Sequence, residues 1–313
     1  MKIAIVGAGA MGSRFGAMFY QSGHEVVLID KWKEHIEQIH SRGLEVISEQ
    51  GSTFLPINAS LRASDVGEAD LVLIFTKATQ TEGAVRDSLP LIGEQTLIMT
   101  LQNGLGNVEV ITEFIRKDQV IAGTTNFAAE LMGPGVIQAL GSGETHIMNV
   151  SGEVSEKLIH ISEAMNKAGM NVTISPDVFK IIWTKVAFNS VMNPVTAITR
   201  LKVADLGAYE QREPFMRKVL QEIVQVASAE GISLDLEEIL GTIRGVLDPK
   251  QSGEHLSSML QDILTKRPTE VEHMNGAIVR LGERAGIPVP HNESLYHLIR
   301  MMETTYERRL EHL

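Results

Sequence analysis

Along the N-terminal half, short runs of apolar residues recur between amphipathic stretches. Lys2–Val6, Glu25–Ile29, Leu71–Thr76, Thr96–Leu101 and Val120–Gly123 are near-continuous apolar runs, the pattern of parallel strands covered on both faces. The stretches near Ser13–Ser22, Lys33–Arg42, Gln80–Leu91 and Asn107–Phe114 read as helices. Strands alternating with helices predict an α/β class with a doubly wound parallel sheet. The pattern changes near Val172–Asp177. After Pro176, Asp177–Met192, Glu210–Glu230, Leu236–Val246, Leu256–Thr265, Thr269–Ala285 and Asn292–Arg309 all suit helices, with Gly, Pro, Asn and Asp between them. The expectation is a doubly wound α/β domain over 1–175 and a second, all-helical domain over 176–313.

Composition narrows the function classes. A chain of 313 residues is comfortable for two domains. The net charge of −11 lacks the basic balance of a nucleic-acid binder, so no nucleic-acid partner is expected. There is no cysteine, which excludes disulfides, thiolate metal sites and cysteine nucleophiles. The histidines show no metal-ligand spacing, and no metal is expected. No stretch approaches the roughly 18 to 20 apolar residues of a membrane span. The apolar start is broken by Arg14 and lacks a clear cleavage site. A cytoplasmic protein without a membrane partner is the expectation.

Gly7-Ala8-Gly9-Ala10-Met11-Gly12 matches G-x-G-x-x-G directly after the first strand and at the start of a helix. Gly7 permits the tight turn, Gly9 the approach of a pyrophosphate, and Gly12 close packing of helix on strand. The helix N-terminus turns free N–H groups toward the phosphates. In a strand–turn–helix context this motif predicts a Rossmann-type domain that binds NAD or NADP. Asp30 ends the second strand, 18 positions after Gly12. An acid there bonds the ribose 2′-hydroxyl of NAD and repels the 2′-phosphate of NADP. Lys31 has the opposite tendency. The residues therefore leave cofactor choice open, with a lean to NAD.

In the second half, Lys185 and Asn189 stand one i, i+4 step apart and share a helix face. Asn193 lies a further step along. Pro194 predicts that the helix kinks or ends there. These polar residues interrupt an otherwise apolar run, Val186, Ala187, Phe188, Val191 and Met192. Buried polar groups need partners. Two readings fit: asparagines bonding loop carbonyls with Lys185 reaching water, or a face that holds a ligand. Ser258 and Asp262 form another i, i+4 pair, and Glu270 after Pro268 suits the first turn of a helix.

Taken together, five segments resemble the ketopantoate reductase family. They are Phe75-Thr76-Lys77-Ala78; Gln102-Asn103-Gly104-Leu105-Gly106; Trp183-Thr184-Lys185 with Asn189 and Asn193-Pro194; Ser257 to Asp262; and Thr269-Glu270 through Asn275-Gly276. The resemblance spans essentially the whole chain. It implies reduction of the 2-keto group of 2-dehydropantoate (ketopantoate) to pantoate with NAD(P)H, a step of pantothenate biosynthesis, and it favours NADP. It further implies that Lys185 and Glu270 are catalytic, and that Asn103, Asn189, Asn193 and Ser258 bind substrate. Lys77, Asn103, Ala129 and Glu270 would join Gly7 to Gly12, Asp30 and Lys31 in holding the cofactor. Asp262 would buttress the structure.

Two departures bear on the substrate. His255 stands three places before Ser258 where the family often has Asn, and Lys202-Val203-Ala204 lacks the usual Asn-Gly. With Asp30, they suit an NAD-dependent D-2-hydroxy acid dehydrogenase for branched or aromatic 2-keto acids. A non-catalytic NAD(P)H-sensing protein is the alternative of another class. The amphipathic helices of the second half suit either a core or a homodimer interface.

Overall fold

The computed structural model describes residues 1–248 and 256–308. The chain divides into two compact units. The first comprises Met1–Gln102 and Gly106–Phe179; the second comprises Asn103–Leu105 and the chain from Lys180 onward.

The first unit runs β1 (Lys2–Val6), α1 (Ala10–Gln21), β2 (Glu25–Ile29), α2 (Lys33–Arg42), β3 (Leu44–Ser48), β4 (Gly51–Leu55), β5 (Asn58–Ser60), β6 (Leu71–Ile74), α3 (Thr81–Ser88), β7 (Leu97–Thr100), α4 (Asn107–Thr112), β8 (Val120–Thr125), β9 (Ala128–Gly133), β10 (Val136–Leu140), β11 (Thr145–Asn149), α5 (Glu156–Lys167) and β12 (Val172–Ile174). The main sheet has the order β12-β11-β8-β7-β6-β1-β2-β5. From β5 to β8 every pairing is parallel; β11 joins β8 antiparallel. Residues 3–6 and 71–74 are all buried, as strands covered on both faces must be. Ala4, Val6, Val72, Ile74 and Ile98 share one face and pack on Val85, Leu91 and Ile111. Strand order reverses between β2-β1 and β6-β7, so the loops after β1 and β6 part to opposite sides. That crevice is where doubly wound sheets bind ligands.

The expected doubly wound sheet is present, with an addition. A second sheet, β4-β3-β10-β9, lies within the same unit, and neither it nor α5 was expected from the apolar runs. Strand β4 exposes residues 51–54 and buries only Leu55, so it has no apolar run to read. Arg14, on α1 and 6% exposed, ties this sheet to the glycine-rich helix. Its guanidinium donates to the carbonyls of Ala128, Leu140 (2.8 Å) and Gly141 (2.5 Å) and lies 4.7 Å from the Phe127 ring centroid.

The second unit is helical: α6 (Val178–Thr199), α7 (Arg212–Ala229), α8 (Leu236–Val246), α9 (Ser258–Leu264), α10 (Asn275–Ala285) and α11 (Pro290–Thr304). Trp183, Ala187 and Val191 of α6 pack on Val219, Ile223 and Val226 of α7 and on Ile239, Leu240 and Ile243 of α8. Each valine, leucine and isoleucine among them contributes about 1.5–3 kcal/mol when fully buried. Asp235 caps α8 by accepting from the N–H groups of Glu237 and Glu238. Gly286 ends α10 in the left-handed region, φ +68. Among the described residues no helix is long and apolar enough to cross a membrane.

Two expectations for this unit are corrected. Pro194 does not end α6, which continues to Thr199. Proline removes the N–H that would bond the carbonyl four residues back. That carbonyl, on Ser190, accepts instead from Asn275 Nδ2 at 2.9 Å, so a donor from a distant segment fills the gap. Glu270 does not lie in the first turn of a long helix. A short 3-10 turn covers Val271–His273, Met274 breaks it with φ −109 and ψ −102, and α10 starts only at Asn275. Arg309, expected to close the last helix, lies outside the described residues.

Candidate active site

At the end of β1 the chain turns at Gly7, whose φ is +94. A Cβ there would sit 2.5 Å from the Thr76 nitrogen, and one on Gly12 would sit 2.0 Å from the Gly7 carbonyl oxygen. Both positions therefore require glycine. A Cβ on Gly9 would meet nothing within 4 Å, so the space over this residue is open. Helix α1 starts at Ala10, three residues earlier than the sequence pattern suggests, with Gly9 at its N-cap. It has no side-chain cap and no acid in its first turn. The first N–H groups, those of Ala10 and Met11 among them, thus form an anion cradle of the kind a pyrophosphate fills. Ser13 Oγ donates to the Ala8 carbonyl at 2.8 Å and fixes the turn. Beneath it lies the fully buried His35, stacked on Trp32 and accepting from Gly135 N–H at 3.0 Å through Nδ1. Burial lowers its pKa, against the opposing pull of Asp30 and the Ala8 carbonyl, so this imidazole is neutral.

Asp30 follows β2 and is partly buried; its Oδ1 accepts from Trp32 N–H at 2.9 Å. Lys31 holds its ammonium 2.8 Å from Asp87 on α3. Lys77 follows β6, at the start of a short 3-10 turn. The strand end before it is braced by Gln102, whose Nε2 donates to the Thr76 carbonyl at 2.8 Å and to Thr81 Oγ1 at 2.9 Å. Ala129 lies in β9 opposite Ala139.

In the second unit, Lys185, Asn189 and Asn193 follow one another along α6. Lys185 keeps part of its surface open, yet its ammonium is closely surrounded by protein. That desolvation lowers its pKa to about 8, while the nearby Glu270 carboxylate pulls it up. Glu270 is 8% exposed and Asn193 is 5% exposed. Asn193 Nδ2 lies 3.7 Å from the Met274 sulfur. Asn103 reaches this unit through its loop. Leu105 N–H donates to the His273 carbonyl at 2.8 Å, and His273 Nδ1 lies 3.1 Å from the Leu105 carbonyl oxygen. Gly104, φ +91, is pressed so closely on His273 that a Cβ would lie 2.7 Å from its carbonyl oxygen.

Ser258 is exposed on the first turn of α9, while its neighbour Ser257 is buried and caps that helix. Ser257 Oγ is 2.6 Å from Thr196 Oγ1, and Thr196 is itself bonded to α6 carbonyls. This pins the start of α9 to α6. Asp262 is buried, with its carboxylate 3.3 Å from Arg267 Nε. Val203 and Ala204 are buried apolar positions, and His255 lies outside the described residues. Gln102, Ser257, His273 and Asn275, to which the sequence alone assigns no role, all fix the named residues. Ser257 carried a signal, because serine just before a helical run is a cap.

The sequence matches the family model described as ketopantoate reductase PanE/ApbA over residues 3–152, and its C-terminal companion over residues 177–303. The 2-dehydropantoate 2-reductase of Lactococcus lactis subsp. lactis (strain IL1403) is 32% identical over 306 residues, covering 97% of this chain and 98% of that protein. Among solved structures, a ternary structure of D-mandelate dehydrogenase with NADH and anilino(oxo)acetate is 34% identical with a TM-score of 0.93, covering 98% of this chain and 100% of the other. A PanE/ApbA family ketopantoate reductase from Ralstonia eutropha JMP134 is 33% identical with a TM-score of 0.90, at 98% and 100% coverage. With both halves matched and full-length relatives above 30% identity, this chain belongs to the ketopantoate reductase family.

Proposed function

We propose that this chain is an NAD(P)H-dependent oxidoreductase that reduces the 2-keto group of 2-dehydropantoate to pantoate. The observation that carries the reading is the desolvated Lys185 ammonium, with a pKa near 8, beside the buried Glu270. A cation able to give up its proton near neutral pH is what a carbonyl oxygen gaining negative charge requires. The glycine cradle and the acid after β2 fit a dinucleotide, held by Gly7 to Gly12, Asp30, Lys77 and Ala129. When bound, the nicotinamide supplies a hydride to the substrate's C2 carbon. Lys185 donates a hydrogen bond to the carbonyl oxygen and then its proton. Glu270 holds that proton on Lys185 until transfer. Asn103, Asn189 and Asn193 offer amide donors that orient the keto acid, and Ser258 offers a hydroxyl to its carboxylate.

Asp30 and the likeness to the NADH-bound mandelate enzyme favour a second reading, an NAD-dependent D-2-hydroxy acid dehydrogenase for branched or aromatic 2-keto acids. The apolar Val203 and Ala204 agree with a substrate lacking the extra hydroxyl. Oxidation of NADH and of NADPH, followed with ketopantoate, 2-ketoisocaproate and phenylglyoxylate, separates the two. A site built to bond a hydroxyl rejects analogues without it by large factors. Preference for ketopantoate supports the first reading. Preference for the comparators with NADH replaces it by the second. Cofactor binding without turnover of any of the three would leave an NAD(P)H-sensing protein.

A further inference from the structure

Ser190, Asn275 and Asn292 are all 0% exposed and meet in one buried polar line. At its far end, Glu222 accepts from the backbone N–H groups of His291 and Asn292, each at 2.9 Å, from Asn292 Nδ2 at 2.8 Å, and lies 2.6 Å from His291 Nδ1. Burial pushes the Glu222 carboxyl up, but these bonds outweigh it and hold its pKa below the usual value. An ionised carboxylate only accepts. Asn292 must therefore turn its NH2 toward Glu222, which leaves its Oδ1 facing Asn275. Asn275 in turn must present its own NH2 to Asn292 Oδ1 at 3.1 Å and to the Ser190 carbonyl at 2.9 Å. The amide orientation is thus dictated by the chain of partners. It places a donor on the one α6 carbonyl that Pro194 deprives of its own.

We propose that Asn275 is a positioning residue for the Lys185–Glu270 pair: its amide replaces the N–H missing at Pro194 and so welds the turn of α6 bearing Asn189 and Asn193 to the segment that begins with Glu270. Met274, beside Asn275, adds a second contact through Asn193. Glu270 lies five residues before Asn275 in the same segment, and Lys185 lies five residues before Ser190 on α6. Loss of the bond lets the two segments shift. A misplacement of about 1 Å at reacting groups can cost about 10²-fold in rate. The inference rests on the reductase reading above.

Its test begins with the wild-type enzyme and Lys185→Ala on the three keto acids with NADH and NADPH. If the wild type turns none of them over, the reductase reading fails, and this proposal with it. Given turnover, Asn275→Ala is expected to lower kcat about 10- to 100-fold while the Kd for NADH or NADPH, read by nucleotide fluorescence, stays within about twofold. The same change made on a Pro194→Ala background should cost about fivefold less or better, because that substitution restores a backbone donor to the Ser190 carbonyl. Wild-type kcat in Asn275→Ala would overturn the proposal while leaving the reductase reading intact. So would an equal loss, including failure to fold, on both backgrounds.

Discussion

On the proposed function, the glycine-rich end of the first unit and the α6 face of the second would serve a ligand by opposite means. The first works through backbone: uncapped N–H groups at Ala10 and Met11, and glycines where a Cβ has no room. The second works through side chains whose chemistry comes from burial, since Lys185 has a pKa of about 8 only because its ammonium is desolvated. A backbone site tolerates most side-chain changes and fails abruptly at a few glycines. A side-chain site depends on one functional group and on everything that keeps water from it.

Four experiments, at three residues, press on that contrast. The largest effect is expected at Lys185. Lys185→Ala should lower kcat for keto-acid reduction about 10²- to 10⁴-fold with the Kd for cofactor unchanged; near-normal kcat would remove Lys185 from the chemistry. The same group sets the pH profile. Burial lowers its pKa to about 8, so the protonated donor is half present at that pH, nearly full about one unit below it and lost above it. Reduction should then fall about tenfold per pH unit above that point, and a flat profile to pH 10 under chemistry-limited conditions would contradict the assignment.

An intermediate effect is expected at Gly12. Gly12→Ala puts a methyl 2.0 Å from the Gly7 carbonyl oxygen, a forced repacking that costs about 1–3 kcal/mol. Cofactor affinity and Tm should fall together, and an unchanged Kd would mean that the turn does not cradle the phosphates. The smallest effect is expected at Asp30. Asp30→Ala should raise kcat/KM with NADPH relative to NADH by about three- to tenfold, from relief of one like-charge repulsion near the surface. Lys31, paired with Asp87 in solvent, offers little to offset that repulsion. An unchanged ratio would take Asp30 out of cofactor choice.

The same contrast explains what could be read in the sequence. The glycine turn was legible because its demands are local: a strand, a steric limit and a helix start all lie within twelve residues. The behaviour of Pro194 was not, because its compensating donor, Asn275, is distant in sequence and no local pattern announces it. Strand β4 of the second sheet escaped because Gly51–Leu55 is exposed at four of its five positions and has no apolar run. Helix α5 did carry a signal, with a Ser155 cap and buried Leu158, Ile161 and Met165 at helical spacing. The lowered pKa of Lys185 could not be read at all, since desolvation depends on how surrounding segments pack. The family motifs singled out Lys185, Asn189 and Glu270 as candidates without supplying any such physical reason.

Arg14 has a consequence for how such proteins exchange parts. Its guanidinium is matched to carbonyls at the ends of two strands and to one aromatic face. A lysine, with a single ammonium, cannot reproduce that fork. A chimaera that takes the glycine-rich helix from one relative and the small sheet from another inherits only half of this joint. The acceptors are main-chain carbonyls that any sequence supplies, so the half that can be lost is the arginine itself or the path of the chain at Ala128 and Leu140–Gly141. An exchange of the glycine-rich helix between relatives therefore has to keep Arg14 together with the strand ends of β9 and β10, and not the fingerprint alone.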